Sequence, residues 1–206
     1  MRQIIALESK YLCLVALVLT SACASGGNGG SADPLNFATT QEAVDSVQNL
    51  LFDVDASGFV PTTAAQLPSS GSVAYQGYLG ISGTDDTLPP ADDFLTAVGR
   101  VELTADFAGA GAITGTADHF IDGNDEQMTG GFTIAATSIG ASGGFTAQLD
   151  GTITNTSAFD YTYHVPMTGG FVGPSVDYLG ATGGGDFTDD GTGVVTPFQM
   201  ALNAQR

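Results

Sequence analysis

Ala97-Val98-Gly99-Arg100-Val101-Glu102-Leu103-Thr104-Ala105-Asp106-Phe107 is the stretch that decides the fold. Ala97, Val101, Leu103, Ala105 and Phe107 share one side of an extended backbone, and Val98, Arg100, Glu102, Thr104 and Asp106 share the other. Successive side chains of a strand point to opposite faces, so this spacing predicts an antiparallel strand with one buried and one wet face. The alternation returns in Phe145–Ile153, where Phe145, Ala147, Leu149, Gly151 and Ile153 oppose Thr146, Gln148, Asp150 and Thr152. Shorter versions run through Val73, Tyr75, Leu79 and Ile81, then Phe132 and Ile134, then Phe159, Tyr161, Tyr163 and Val165, and finally Val194, Phe198, Met200 and Leu202. Turn residues such as Asp122-Gly123-Asn124 and Asp190-Gly191 separate them.

About eight strands at regular spacing imply a sandwich or a small barrel. Glycines at 77, 99, 115 and 151 favour the barrel, because strongly coiled strands need positions without a Cβ. Closure also removes the sheet edges that an all-β protein must otherwise protect. The expected fold is therefore all-β: a single eight-stranded antiparallel β-barrel, lipocalin-like in layout, over residues 71–206. A transmembrane barrel is disfavoured. Its outward face would be an apolar band, whereas here one face carries Arg100, Glu102, Asp106, Gln148 and Asp150 and the other would fill the lumen with Phe and Leu.

Upstream the pattern changes. Arg2 and Lys10 precede the apolar run Leu12–Leu19, and small residues Ser21 and Ala22 lead to Cys23. A basic start, apolar centre and small-residue exit form a secretory signal, and the run falls short of the roughly 20 apolar residues that a transmembrane helix needs. Leu19-Thr20-Ser21-Ala22-Cys23 resembles the lipobox of bacterial lipoproteins, which implies cleavage after residue 22 and lipidation of Cys23. Residues 23–38, rich in Gly, Ser and Ala, then read as a lipidated tether. Ala24 carries no charge, and by the lipoprotein rule this favours the outer membrane over inner-membrane retention. Residues 39–70 read as a helix and an extended connector. Thr39-Thr40-Gln41-Glu42 has the form of a capping box, and Val44, Val47 and Leu51 make an apolar stripe expected to cover an end or flank of the barrel.

Charge excludes partners more firmly than it identifies one. The chain carries 22 acids against four strong cations, a net charge of -18. Cleavage removes Arg2 and Lys10, leaving Arg100 and Arg206 as the strong cations and no lysine. Such a surface repels phosphates, so no nucleic-acid partner is expected. Cys13 lies inside the signal, so the mature chain forms no internal disulfide.

Gly169-Gly170-Phe171-Val172-Gly173-Pro174-Ser175-Val176-Asp177-Tyr178-Leu179-Gly180-Ala181 goes beyond fold class. It resembles the strand–turn–strand hallmark of the barrel domain in transferrin-binding protein B-like surface lipoproteins, with Phe171, Gly173, Pro174 and Gly180 in place and Asp177 at the acidic position. Val101–Phe107 followed by Gly111–Gly115, Met128–Phe132 and Gly144–Gly151 look like further hairpins of that family. The resemblance covers residues 71–206 and the lipoprotein start. It implies a lipid-anchored barrel that captures a solute, haem or an iron-carrier protein. The large two-lobed transferrin receptors carry lysine-rich handle domains that this chain lacks.

Several residues are candidates for chemistry. Asp53, Asp55 and Ser57, with Gly58 at the turn, follow the opening of an EF-hand calcium loop, but the twelfth position is Ala64 instead of Glu. The competing reading is an acidic turn after a helix. Gly140-Ala141-Ser142-Gly143-Gly144 matches the nucleophile-elbow pattern, yet it lies between two strands instead of a strand and a helix, and so reads as a hairpin loop. His164 alternates with Tyr161 and Tyr163 and belongs on the wet face. His119, beside Phe120 near a strand end, is the candidate haem ligand at a barrel mouth. Tyr75, Phe107, Phe132, Phe145, Tyr161, Tyr163 and Phe171 read as core packing before they read as a pocket, since eight-stranded barrels are often filled.

The expectation is a monomeric, non-enzymatic, lipid-anchored outer-membrane binding protein without a resident cofactor. The connections Gly83–Asp93 and Phe120–Met128 would carry recognition. The alternative is a structural envelope lipoprotein with a filled barrel and no ligand.

Overall fold

The alternating runs become eight strands: β1 (Ser72–Gly83), β2 (Ala97–Asp106), β3 (Ala112–Asp122), β4 (Thr129–Ala136), β5 (Gly144–Thr154), β6 (Asp160–Val172), β7 (Tyr178–Thr188) and β8 (Val195–Gln205). These are seen in a computed structural model, which describes residues 35–36, 38–40, 61–83, 97–158, 160–188 and 195–206. Each strand pairs antiparallel with its successor, and β8 returns to β1 to close the barrel. The inward set is the one the alternation marks: Val101, Leu103, Ala105 and Phe107 on β2 and beyond it, and Phe145, Ala147, Leu149 and Ile153 on β5, are all buried. The opposite faces of these strands carry exposed or half-buried polar residues such as Glu102, Thr104, Asp106, Thr146, Gln148 and Asp150. Cys23, the signal, the tether up to residue 34, and Asp53, Asp55 and Ser57 lie outside the described residues.

One side chain departs from the alternation. Val98, expected on the wet face, is 0% exposed. Beside it in β3, His119 takes a left-handed φ of 54° and the β2–β3 register jumps between Val98 and Arg100. This extra residue is a β-bulge, which reverses the alternation beyond it. Phe120 therefore turns inward, and Ile121 comes to lie beside Val98 on the outer side of the wall. Ile121, Val98, Gly80 and Ala201 run as one cross-strand row over β3, β2, β1 and β8, and all four are buried. The expected Val44, Val47 and Leu51 stripe lies outside the described residues.

The four glycines expected to coil the wall do sit where a side chain has no room. A Cβ on Gly77, Gly115 or Gly151 would run into the backbone of Asn203, Glu102 or Gly131, and one on Gly99 would lie 2.6 Å from the Phe120 ring. Close backbone approach, not turn geometry, is what these positions supply.

The expected short helix begins earlier than the capping box suggests. Ala38–Thr40 are helical, and Asn36 is the cap: its Oδ1 accepts the Thr39 N–H at 3.2 Å and its carbonyl accepts the Thr40 N–H at 3.0 Å. The Thr39 hydroxyl, expected to cap, instead donates back to the Asn36 carbonyl at 3.2 Å. Asparagine is as good a cap as serine or aspartate. The Asn36 amide also donates to Asp125 at 3.1 Å, tying this segment to the β3–β4 connection.

The connector 61–70 closes the opposite end of the barrel. β5 stops pairing with β6 at Gly144↔Gly170, leaving Phe171 and Val172 uncovered on that edge. Pro61 bridges to Val172, the Thr62 N–H donates to the Phe171 carbonyl at 3.0 Å, and the buried Thr62 hydroxyl donates to the Gly173 carbonyl at 2.7 Å. Leu67 then packs against the core.

Candidate functional site

The lumen comes first, since a lipocalin-like layout invites a ligand there. It is filled by two aromatic groups. Near the connector end, Phe171 lies 5.4 Å from Phe107, 5.8 Å from Phe145 and 6.0 Å from Tyr75, between ring centroids. Toward the other end, Phe120 packs on Phe132 at 5.2 Å, Phe132 on Tyr163 at 5.7 Å and Tyr163 on Phe198 at 5.0 Å, each edge to face. Offset and edge-on contacts at these separations are the favoured arrangements of buried rings. Leu149, Ile153, Met167, Leu179 and Met200 fill the space around them with at most 2% exposure. The aromatic set forms the core, as the sequence suggested.

Burial shapes the titration of two of these groups. Desolvation holds the Tyr75 and Tyr163 phenols well above their ordinary value, so both are neutral donors under physiological conditions. Tyr75 uses its hydrogen at 2.8 Å on the Val176 carbonyl.

Val176 belongs to the hallmark turn, whose chemistry proves structural. β6 ends at Val172, Gly173 adopts φ 93°, and a Cβ there would lie 2.6 Å from the Asp177 carboxylate. Val176 itself sits at φ 53°, a left-handed conformation that is an outlier for a β-branched residue. It is 1% exposed and part of the core. The final residue fastens the same turn, with the Arg206 N–H donating to the Asp177 carbonyl at 3.0 Å. The glycine–proline motif thus encodes a strained corner.

The sequence-marked polar residues are placed apart from this core. His164 lies on the wet face as expected, 79% exposed and paired with Asp150 across β5 and β6. His119 stands on the bulge, 68% exposed, with Nδ1 2.6 Å from the Asp118 carboxylate. It does not point into the lumen, because the bulge sends Phe120 there instead. No group of three His, Cys, Asp or Glu side chains able to hold a metal occurs among the described residues. Ser142 lies in the turn between β4 and β5, where the Gly140 N–H donates to the Gly144 carbonyl at 2.7 Å, so the hairpin reading holds.

At the end opposite the connector β1–β2, β3–β4, β5–β6 and β7–β8 are joined. The β3–β4 connection is well braced. Asp122 Oδ1 accepts the N–H groups of Asn124 at 2.8 Å and Glu126 at 2.9 Å, and the Met128 N–H returns to the Phe120 carbonyl at 2.8 Å. Glu126 accepts the Thr156 hydroxyl at 2.6 Å from the β5–β6 connection. This end presents exposed carboxylates on a rigid support. Sequence spacing could mark the loop but not its bracing, which depends on side chains from three separate segments.

The barrel is similar to transferrin binding protein B. Solved structures of that vaccine antigen from Haemophilus parasuis Hp5 match in a single-mutant form, with 23% identity and a TM-score of 0.47, and in a double-mutant form, with 23% identity and a TM-score of 0.43. The matches cover 70% and 71% of this chain but 28% of each of those chains, so this chain spans well under a third of their length. No protein-family model and no curated protein matches the sequence.

Proposed function

We propose that this protein is a lipid-anchored outer-membrane binding protein that captures an iron-carrier or other host protein through the outside of its barrel. The observation that carries this reading is the packed lumen: Phe171, Phe132, Tyr163 and their neighbours occupy the space where a lipocalin-like protein would hold a solute. With these rings packed through the lumen, recognition is assigned to the wall and to the connections at the β3–β4 end. Those connections combine firm support with exposed acidic groups, a combination suited to a protein surface with basic character. Anchoring rests on Cys23 and the signal-like segment before it, and the hallmark Gly169–Ala181 supports the kinship with surface lipoproteins.

The geometry does not favour His119 as a haem ligand. It is exposed beside Asp118, and the anionic haem carboxylates would meet a chain of net charge -18. The same filled lumen also suits a second reading, a structural envelope lipoprotein without a ligand. Immobilised protein exposed to purified iron-carrier proteins separates the two: retention of one carrier supports capture, and eluates empty of all of them favour the structural role.

A further inference from the structure

Burial on this barrel is not confined to its lumen. Val98, Ile121, Ala201 and Val172 are buried, yet none of them belongs to the cluster that fills the interior. Each is next in sequence to an inward side chain, Ala97, Phe120, Leu202 and Phe171 in turn, so each stands on the outer face of the wall. An outer side chain meets water unless something lies over it. Pro61 bridges to Val172. The other three run with Gly80 along one cross-strand row, and the buried Asn203 and Gly180 in the next row carry the covered area from β8 to β7. The outward positions of β4, β5 and β6 up to Gly170 are by contrast exposed or half-buried.

The covered area is a diagonal band. It starts at Ile121, beside the β3–β4 connection, and ends at Gly180, close to the Tyr178 that pairs with Val172. The chain on either side of residues 41–60 is fastened at these same two ends. Before them, Asn36 donates to Asp125 at 3.1 Å and Thr40 is buried. After them, Pro61 bridges to Val172 and the Thr62 N–H donates to the Phe171 carbonyl at 3.0 Å. Reach is sufficient. The four steps from β3 to β7 cover about 19 Å of wall, whereas a helix over 41–52 spans about 18 Å and extended residues 53–60 add up to about 26 Å.

We infer that residues 41–60 dock along this band, with Val44, Val47 and Leu51 seated on Val98, Ile121 and Ala201. The segment then joins the two ends of the barrel across the β1–β8 closure. An apolar stripe on an amphipathic helix needs an apolar surface of this kind. Charge agrees, since the second row also holds Arg100 and the segment brings Asp53 and Asp55. A second copy of this chain is a poorer occupant, because two chains of net charge -18 repel. The inference deepens the capture reading and, for its functional consequence, rests on it: wall recognition is left to the outward face of β4, β5 and β6, where Thr133, Thr162 and His164 are exposed.

The test uses the full chain with Cys13→Ser and Cys23→Ser, so that Val98→Cys supplies the one thiol, labelled with iodoacetamide and followed by mass. Labelling is expected to be slow, independent of protein concentration, and accelerated at least about tenfold by Val44→Asp with Val47→Asp. Asn49→Asp, opposite the stripe on the expected helix, leaves it slow. The thiol of Ala147→Cys, inside the barrel on β5, reports whether the barrel itself has opened, and it stays slow in the same variants. Where the charged pair frees this inner thiol too, the milder Val44→Thr with Val47→Thr decides by the same comparison. Fast labelling of Val98→Cys without further change, or a rate that the stripe variants do not alter, overturns the inference. Protection that falls on dilution also overturns it and puts a second copy on the band. No carrier is present in this measurement, so the inference and the capture reading fail separately.

Discussion

The Tyr75 phenol donates a 2.8 Å hydrogen bond to the Val176 carbonyl, joining β1 to the corner between β6 and β7 over 101 residues of sequence. Both partners are 1% exposed, and Val176 holds a left-handed φ of 53°. Such a conformation costs on the order of 1–3 kcal/mol and persists only where its surroundings over-determine it. Here burial, the Tyr75 hydroxyl and the Arg206–Asp177 backbone hydrogen bond do so together.

Tyr75→Phe keeps the ring and its contact with Phe171 but leaves the Val176 carbonyl buried without that donor. The expected cost is about 1–3 kcal/mol, read as a lower urea midpoint with an unchanged slope. A midpoint equal to that of the parent chain would show that water replaces the hydroxyl.

Alkaline stability follows from the same burial. The folded-state values of Tyr75 and Tyr163 are raised above that of an unfolded tyrosine, about 10. A group raised on folding contributes stability that is complete below its unfolded value and is lost as pH climbs through the folded one. The urea midpoint should therefore hold up to about pH 10 and fall steeply above it. Near-ultraviolet absorbance should show these two phenols ionising only as the chain unfolds.

Gly99→Ala tests the bulge. Its Cβ would lie 2.6 Å from a Phe120 ring that is 1% exposed and wedged against Phe132, so the ring has little freedom to yield. Overpacking of this kind costs about 1–3 kcal/mol. Thermal melting of the variant well below the parent is expected, with no comparable loss for Gly123→Ala in the β3–β4 connection, where no atom lies within 4 Å of the added Cβ.

Haemin added to the purified protein is expected to give no Soret shift that depends on His119. The bulge turns that ring outward beside Asp118 and gives it no facing ligand within the lumen. A shift abolished by His119→Ala would show that the exposed ring does bind iron.

Much of the barrel is legible in the sequence, because one strand face after another alternates strictly and a one-residue slip would expose every inward side chain. Phe107, Leu149 and Tyr163 could be placed from spacing alone. Val98 and His119 could not, since a bulge is a pairing event between β2 and β3 and leaves no periodic mark. The cap at Asn36 was hidden by a stronger-looking Thr39–Glu42 pattern three residues on. The candidate surface at the β3–β4 end was legible as a loop, and its bracing by Asp122, Glu126 and Thr156 was not.

Direct capture is the central claim, and the most direct measurement is retention of purified iron-carrier proteins on membranes bearing the full-length protein, compared with membranes bearing Cys23→Ser. The predicted result is a carrier held by the parent membranes, released by added salt, weakened by the paired change Asp125→Asn with Glu126→Gln, and lost from the Cys23→Ser membranes along with the protein itself. Parent membranes that carry the protein and retain no carrier at any salt concentration would contradict it.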